Sequence, residues 1–340
     1  MQTTIIKKSE WVKTATDIIN LKITKVPTLV QPIIQRYGAI SLAGSSDLGK
    51  SFLLLQLSDS VINGDALFLG MPLTTKHKSV IYVATEDDEY SLCPRLTNLS
   101  EGRGDKSAYD NLRIIFETQN LLSRLDELLV KKKADLVIID TFGDIYDGDL
   151  NQSNKVRPFI QKFKALARKY ETLFIFNHHC GKKNDQRVPH KDNLLGSQGF
   201  ESSMRTVIEL RRDLNDPKKR HLCIVKANNL PEDLKNASFE LLFSFEKGFS
   251  STGKRVSFEM LVKEESRSSI AKEALKGKVL ALHASGLSYA KIAKKLTDEG
   301  LPIGKSTVGI ICKVNRPAVQ KPKEDELDGQ RVEARAKSAA

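Results

Sequence analysis

The stretch GSSDLGKS at residues 44–51 constrains this chain more than any other, because it fits the pattern G-x-x-x-x-G-K-S at every position. Glycines of such a loop let backbone N–H groups turn toward an anion, Lys50 reaches the β and γ phosphates, and the Ser51 hydroxyl holds Mg2+. Gly44, Ser45, Ser46, Asp47, Leu48, Gly49, Lys50 and Ser51 are therefore the candidate nucleotide-binding residues, and ATP with Mg2+ the implied cofactors. A pattern this short also arises in Gly-rich turns that bind nothing, so its flanks decide. YGAISLA (37–43) predicts a short buried strand, and KSFLLLQLSDSVI (50–62) predicts a helix stopped by Asn63 and Gly64. Strand, loop and helix in that order aim a helix N-terminus at the phosphates.

Downstream, the chain supplies the other strands of an α/β sheet. SVIYVAT (79–85) ends in Glu86, Asp87, Asp88 and Glu89. A carboxylate at the C-terminal end of a parallel strand faces the ligand crevice, which makes Glu86 the candidate base for a lytic water. The alternative is that the acidic run favours the N-terminus of a helix beginning near Tyr90. LRIIF (112–116) predicts a strand and residues 121–131 a helix, followed by ADLVIID (134–140), an apolar strand ending in Asp140. That residue is the candidate support for Mg2+. Residues 141–154 read as a long polar loop, and residues 155–170 as an amphipathic helix with Phe159, Phe163 and Leu166 along one face.

TLFIFNHH (172–179) is a further buried strand, ending in two histidines. One of them, taken as His178, is placed to touch a γ-phosphate, and the other to satisfy a backbone carbonyl. No further Cys or His stands at ligand spacing, which argues against a metal held by the pair. CGKKNDQRVPHKDNLLG (180–196) follows, with almost no apolar content. Its Lys182, Lys183, Arg187 and Lys191 are candidate contacts to a nucleic-acid backbone, against the alternative of a solvated charge run. Segments 206–210, 221–226 and 239–245 read as strands added antiparallel at one side of the sheet.

Charge supports a polyanionic partner. The chain of 340 residues carries a net charge of +12, and residues 254–320 alone hold thirteen Lys/Arg against six Asp/Glu. Cys93, Cys180, Cys223 and Cys312 are far apart, without a C-x-x-C pair, which argues against a zinc site and a disulfide framework and fits a reducing cytoplasm. No run approaches the ~18 apolar residues of a membrane span. The N-terminus lacks the apolar core of a signal peptide. The phrase VPTLVQPII (26–34) predicts an arm packed on the edge of the nucleotide domain.

The order GSSDLGKS, strand-ED, LVIID, strand-HH and GSQ with a following Arg resembles the RecA-fold ATPases of the RepA-type hexameric replicative helicases, related to DnaB, over residues 26 to about 230. The resemblance implies that Lys50 and Ser51 bind phosphate and Mg2+, Glu86 polarises water, Asp140 supports the metal and His178 senses the γ-phosphate. It further implies that Arg205 is an arginine finger reaching into a neighbour's site, with Arg211 and Arg212 close by. A ring with ATP sites between subunits and single-stranded DNA in its channel is the implied assembly. Recombinases and regulatory ATPases share this core.

The last quarter differs in kind. Segments 270–284, 288–296 and 305–313 have helical periodicity, and GLSYAKIAKKL with GKSTV resembles the helix-turn-helix of resolvases and response regulators. That motif implies base or phosphate contacts, here from Lys305, Ser306 and Thr307. Residues 297–304 exceed the usual tight turn, and a three-helix bundle for protein docking is the alternative. The expected organisation is an arm (1–35), a RecA-like α/β domain (36–250), a linker (251–269), an all-α helix-turn-helix domain (270–317) and a polar, disordered tail (318–340). Two functions fit: a DNA-translocating ATPase motor, or a DNA-binding regulator or recombination mediator whose assembly ATP controls.

Overall fold

The computed structural model describes residues 12–181, 184–196, 198–228, 230–231 and 234–314. Lys182, Lys183, the first part of the arm and the tail lie outside these described residues. Two compact units make up the chain, Met1–Ser266 and Arg267–Ala340.

In the first unit, α1 (Ala15–Ile19) is a single turn closed by the Thr14–Asp17 capping box. Two small hairpin strands, β1 (Thr28–Val30) and β2 (Ile34–Gln35), precede β3 (Gly38–Gly44), the loop and α2 (Lys50–Asn63). A second small pair follows, β4 (Leu67–Phe68) and β5 (Met71–Pro72). The chain then alternates through β6 (Val80–Ala84), α3 (Glu89–Glu101), β7 (Leu112–Ile115), α4 (Leu121–Lys131) and β8 (Leu136–Asp140). Next come α5 (Phe142–Ile145), α6 (Ser153–Tyr170), β9 (Leu173–His179) and α7 (Gln198–Ser203). Four consecutive strands complete the unit: β10 (Thr206–Arg212), β11 (Lys219–Ala227), β12 (Ala237–Ser244) and β13 (Gly248–Ser257).

All the long strands join one nine-stranded sheet in the order β13-β12-β11-β10-β3-β9-β8-β6-β7. The run from β10 to β7 is parallel, and β11 to β13 are antiparallel. A parallel sheet needs cover on both faces, which is why β6 and β8 are buried at every position. Pleating splits their side chains by parity. Tyr82, Leu136, Ile138 and Ile175 join the core beneath α2, whereas Ile81, Val137, Phe174 and Phe176 join the core that holds α4, α6 and the Phe142 cluster. Register brings the strand ends level: Ala84 pairs with Asp140, Ala43 with His178 and Gly44 with His179.

The structure departs from four expectations. β10 is parallel to β3, so only β11 to β13 are antiparallel additions. Residues 248–257, mostly assigned to a linker, form the edge strand β13; Phe249 stacks on Phe243, and Gln56 bonds the Phe249 backbone N–H and carbonyl, each at 2.8 Å. The loop after Asp140 contains α5, because Phe142 is buried against Phe176 and Phe200. Of the arm, only the part from Pro27 onward packs on the domain; Val12, Ile18, Ile19, Leu21, Ile23 and Val26 are exposed, while Leu29, Val30, Ile33 and Ile34 are core residues.

The second unit is built from α8 (Glu264–Ala284), α9 (Tyr289–Asp298) and α10 (Lys305–Val314). Val279, Ile292, Leu296, Val308 and Cys312 form its core, with the α9 and α10 pairs one turn apart on their helices. Lys305, Ser306 and Thr307 stand exposed in the first turn of α10.

Candidate nucleotide site

Lys50 begins α2, and Gly49 before it has a φ of 85°, which a residue with a Cβ adopts only under strain. A Cβ there would lie 2.9 Å from the Phe243 ring, and one on Gly44 would lie 2.7 Å from the Leu210 carbonyl oxygen. Close packing thus requires both loop glycines, and at Gly49 backbone shape does so as well. The Lys50 ammonium is buried and donates to the Ser45 carbonyl at 2.7 Å. Burial lowers its pKa, and the negative charges of Asp140 and Glu86 partly offset this. Two arginines that no motif marks for the task brace the loop from behind: Arg212 donates to the Asp47 carbonyl at 3.1 Å and Arg220 to the Leu48 carbonyl at 3.2 Å.

The acidic run after β6 splits its work. Asp88 takes the helix-capping role, accepting from the Ser91 N–H at 2.8 Å, and Asp87 forms a two-bond pair with Arg95 at 2.7 and 3.0 Å. Glu86 keeps a side chain 55 % exposed, with its carboxylate 3.8 Å from His179 Nε2. Asp140, at the neighbouring strand end, is buried between Tyr82 and Asn177. Burial, then the Asp140 charge, pushes the Tyr82 phenol well above its ordinary pKa, so it serves as a donor.

The histidines exchange the roles expected of them. His178 is 1 % exposed, with its ring 4.2 Å from Phe200 and 5.6 Å from Phe142, and its Nε2 2.8 Å from the Leu195 carbonyl. It lies in the core opposite α2, where burial depresses its pKa to about 4. A γ-phosphate contact from this position has no geometric support; the carbonyl-bonding role falls here. His179, one pleat on, is the histidine beside Glu86.

The basic segment after β9 is tied down. Cys180 bridges to Leu194, and the Gly181 N–H donates to the Asn193 carbonyl at 2.8 Å. Beneath it Glu209, 0 % exposed in β10, accepts from Asn184 Nδ2 at 2.8 Å, Asn193 Nδ2 at 3.3 Å, the His190 N–H at 3.2 Å and Arg211 Nε at 2.5 Å. Arg211 is therefore occupied as the partner of a buried carboxylate. Arg187 is exposed, and Lys191 lies 4.0 Å from Glu201. Glu209→Ala would leave the Arg211 charge buried without its partner. It should lower the unfolding free energy by about 3–5 kcal/mol, read from urea titration, which a replacement of a solvated group would not do.

Arg205 is remote from these groups. It is exposed at the start of β10, its N–H bonded to the Ala39 carbonyl at 3.0 Å and its side chain lying over Gly38. Gly38 and Gly44 are separated by about 20 Å along β3, at ~3.3 Å per residue, so Arg205 cannot reach its own phosphate loop.

Lys50, Glu86, Asp140 and His179 thus converge at the C-terminal ends of parallel strands, where such sheets bind ligands. The donors there, a serine hydroxyl and a carboxylate, are oxygens of the kind that suit Mg2+, and Asn177 Oδ1 is a buried acceptor without a partner among the described residues. No curated protein sequence matches the chain. Among solved structures it is similar to that of the ATPase domain of a DnaB-family helicase, with a TM-score of 0.52 and 14% identity, covering 69% of this chain and 95% of that one. The likeness shows a shared RecA-like fold, mixed α/β with a mostly parallel sheet. The family described as "AAA domain" matches residues 7–185, more than half of the chain, and with the phosphate loop and Asp140 in place inside that span, the chain belongs to the AAA domain family.

Proposed function

We propose that this protein is an ATP-hydrolysing motor acting on DNA, a RepA-type replicative helicase of a plasmid or mobile element that works in the cytoplasm as a ring of six identical subunits, a hexamer. The observation that carries this reading is the placement of the basic segment 184–196 directly on the strand end that bears His179, with the Leu195 N–H bonded to the His179 carbonyl at 3.0 Å. Any movement of His179 with the state of the γ-phosphate is passed to a segment that carries Arg187 and Lys191. In this reading Lys50 and Ser51 hold the nucleotide and Mg2+, Asp140 supports the metal through its water, Glu86 takes the proton of the attacking water and His179 senses the γ-phosphate. Single-stranded DNA runs along the basic segment, and the exposed Lys305, Ser306 and Thr307 meet duplex DNA at the N-terminus of α10.

A strand-displacement assay on forked DNA tests the reading. ATP-dependent unwinding is expected; sequence-specific duplex binding without unwinding would favour the regulator instead. Replacing Lys182, Lys183 and Arg187 with Ala should weaken single-strand binding and flatten its salt dependence by about 0.7 log unit per lost phosphate contact. An unchanged slope would make the segment a bystander.

A further inference from the structure

Asp140 ends β8 between β9 and β6, and each neighbour sends one donor to it. The Tyr82 hydroxyl donates to Oδ2, and the Asn177 amide donates to Oδ1. Tyr82 is 0 %, Asn177 2 % and Asp140 4 % exposed, so water cannot stand in for either donor. Tyr82 pairs with Ile138 across the sheet, two residues before the level of Asp140, and only the length of a phenol bridges that offset. A phenylalanine would fill the same apolar space beneath α2; the hydroxyl serves the carboxylate alone. Asn177 offers a second feature. Its amide nitrogen is spent on Asp140 while its Oδ1 is buried with no partner among the described residues.

A carboxylate oxygen has two acceptor sites, so each oxygen of Asp140 keeps one after binding its donor. Two donors from opposite sides fix the plane of the carboxylate and favour its ionised form. The free acceptor sites then point in set directions. We propose that Tyr82 and Asn177 are the positioning residues of the magnesium-supporting carboxylate, and that Asn177 Oδ1 adds a neutral acceptor beside it for a metal-bound water. This rests on the reading of the site as one for Mg2+ and ATP. It assigns work to residues that no motif marks, and it explains why a buried tyrosine and a buried asparagine flank a single acid.

The test is binding, not turnover. The full chain and its Tyr82→Phe variant are titrated with a fluorescent, non-hydrolysable ATP analogue in EDTA and across a Mg2+ series. In EDTA the two should bind alike and melt at similar temperatures, since the triphosphate contacts the loop. The Mg2+ concentration giving half of the affinity gain should rise about tenfold in the variant, the loss expected for one hydrogen bond to a charged group. Asn177→Ala should move the same midpoint in the same direction, and it decides the matter should Tyr82→Phe not fold. A midpoint unchanged in both variants overturns the proposal, as does an equal loss of affinity with and without Mg2+, which is the mark of a purely structural role. If the unaltered chain itself gains no affinity from Mg2+, the Mg2+-ATP reading falls and this inference with it; a gain that the variants leave untouched sinks the inference alone.

Discussion

Lys50→Ala should abolish ATP hydrolysis while the fold survives. The ammonium is the one buried cation in the phosphate loop, and α2 begins at this residue, so charge and helix N-terminus act on the same phosphates. Removing a preorganised donor of this kind costs ~10²–10³ in turnover even where other donors remain. The fold has little to lose. Burial already works against the charged form, and the Ser45 carbonyl that accepts from Lys50 belongs to an exposed residue that water can serve. Phosphate release at saturating Mg2+-ATP should fall to background, while the thermal melt shifts little. Near-normal turnover would sink the ATPase reading, and a collapsed melt would show that Lys50 also holds the loop together.

The parts of this site that lie within one stretch of chain are legible in the sequence alone. The phosphate loop is local, and Asp140 announces itself as a charge closing an apolar strand. What escapes such a reading is set by register between strands. Arg212 and Arg220 brace the loop because β10 and β11 end beside it, and nothing in their own neighbourhood says so. His178 and His179 differ by one pleat, and which of them faces α2 depends on which face of the sheet α2 covers. β13 passes for a linker because SSTGK is polar; an edge strand with a solvated side has no need of an apolar pattern. One further signal does lie in the sequence. Glu209 stands inside TVIELRR, and a charge within an apolar strand must find partners when buried, which foretells the tie to Asn184, Asn193 and Arg211.

Arg205→Ala should keep ATP affinity and lose hydrolysis, with an expected drop of ~10³–10⁵ if Arg205 is a finger supplied to a neighbour's transition state. The position of Arg205 at the start of β10 removes one ambiguity, since a side chain about 20 Å of strand from its own phosphate loop acts between subunits or not at all. Arg211 is committed to Glu209, and Arg212 to the Asp47 carbonyl of its own loop. Mixing subunits gives the sharper measurement. An interface that joins an intact Lys50 from an Arg205→Ala chain to an intact Arg205 from a Lys50→Ala chain is complete, although neither variant alone contains one. Activity that appears on mixing, and rises with the product of the two subunit fractions, places the site between subunits and Arg205 in it. Variants that co-assemble and stay inactive exclude Arg205 as the finger, and the same mixing with Arg212→Ala then asks whether that residue leaves its loop carbonyl to serve a neighbour.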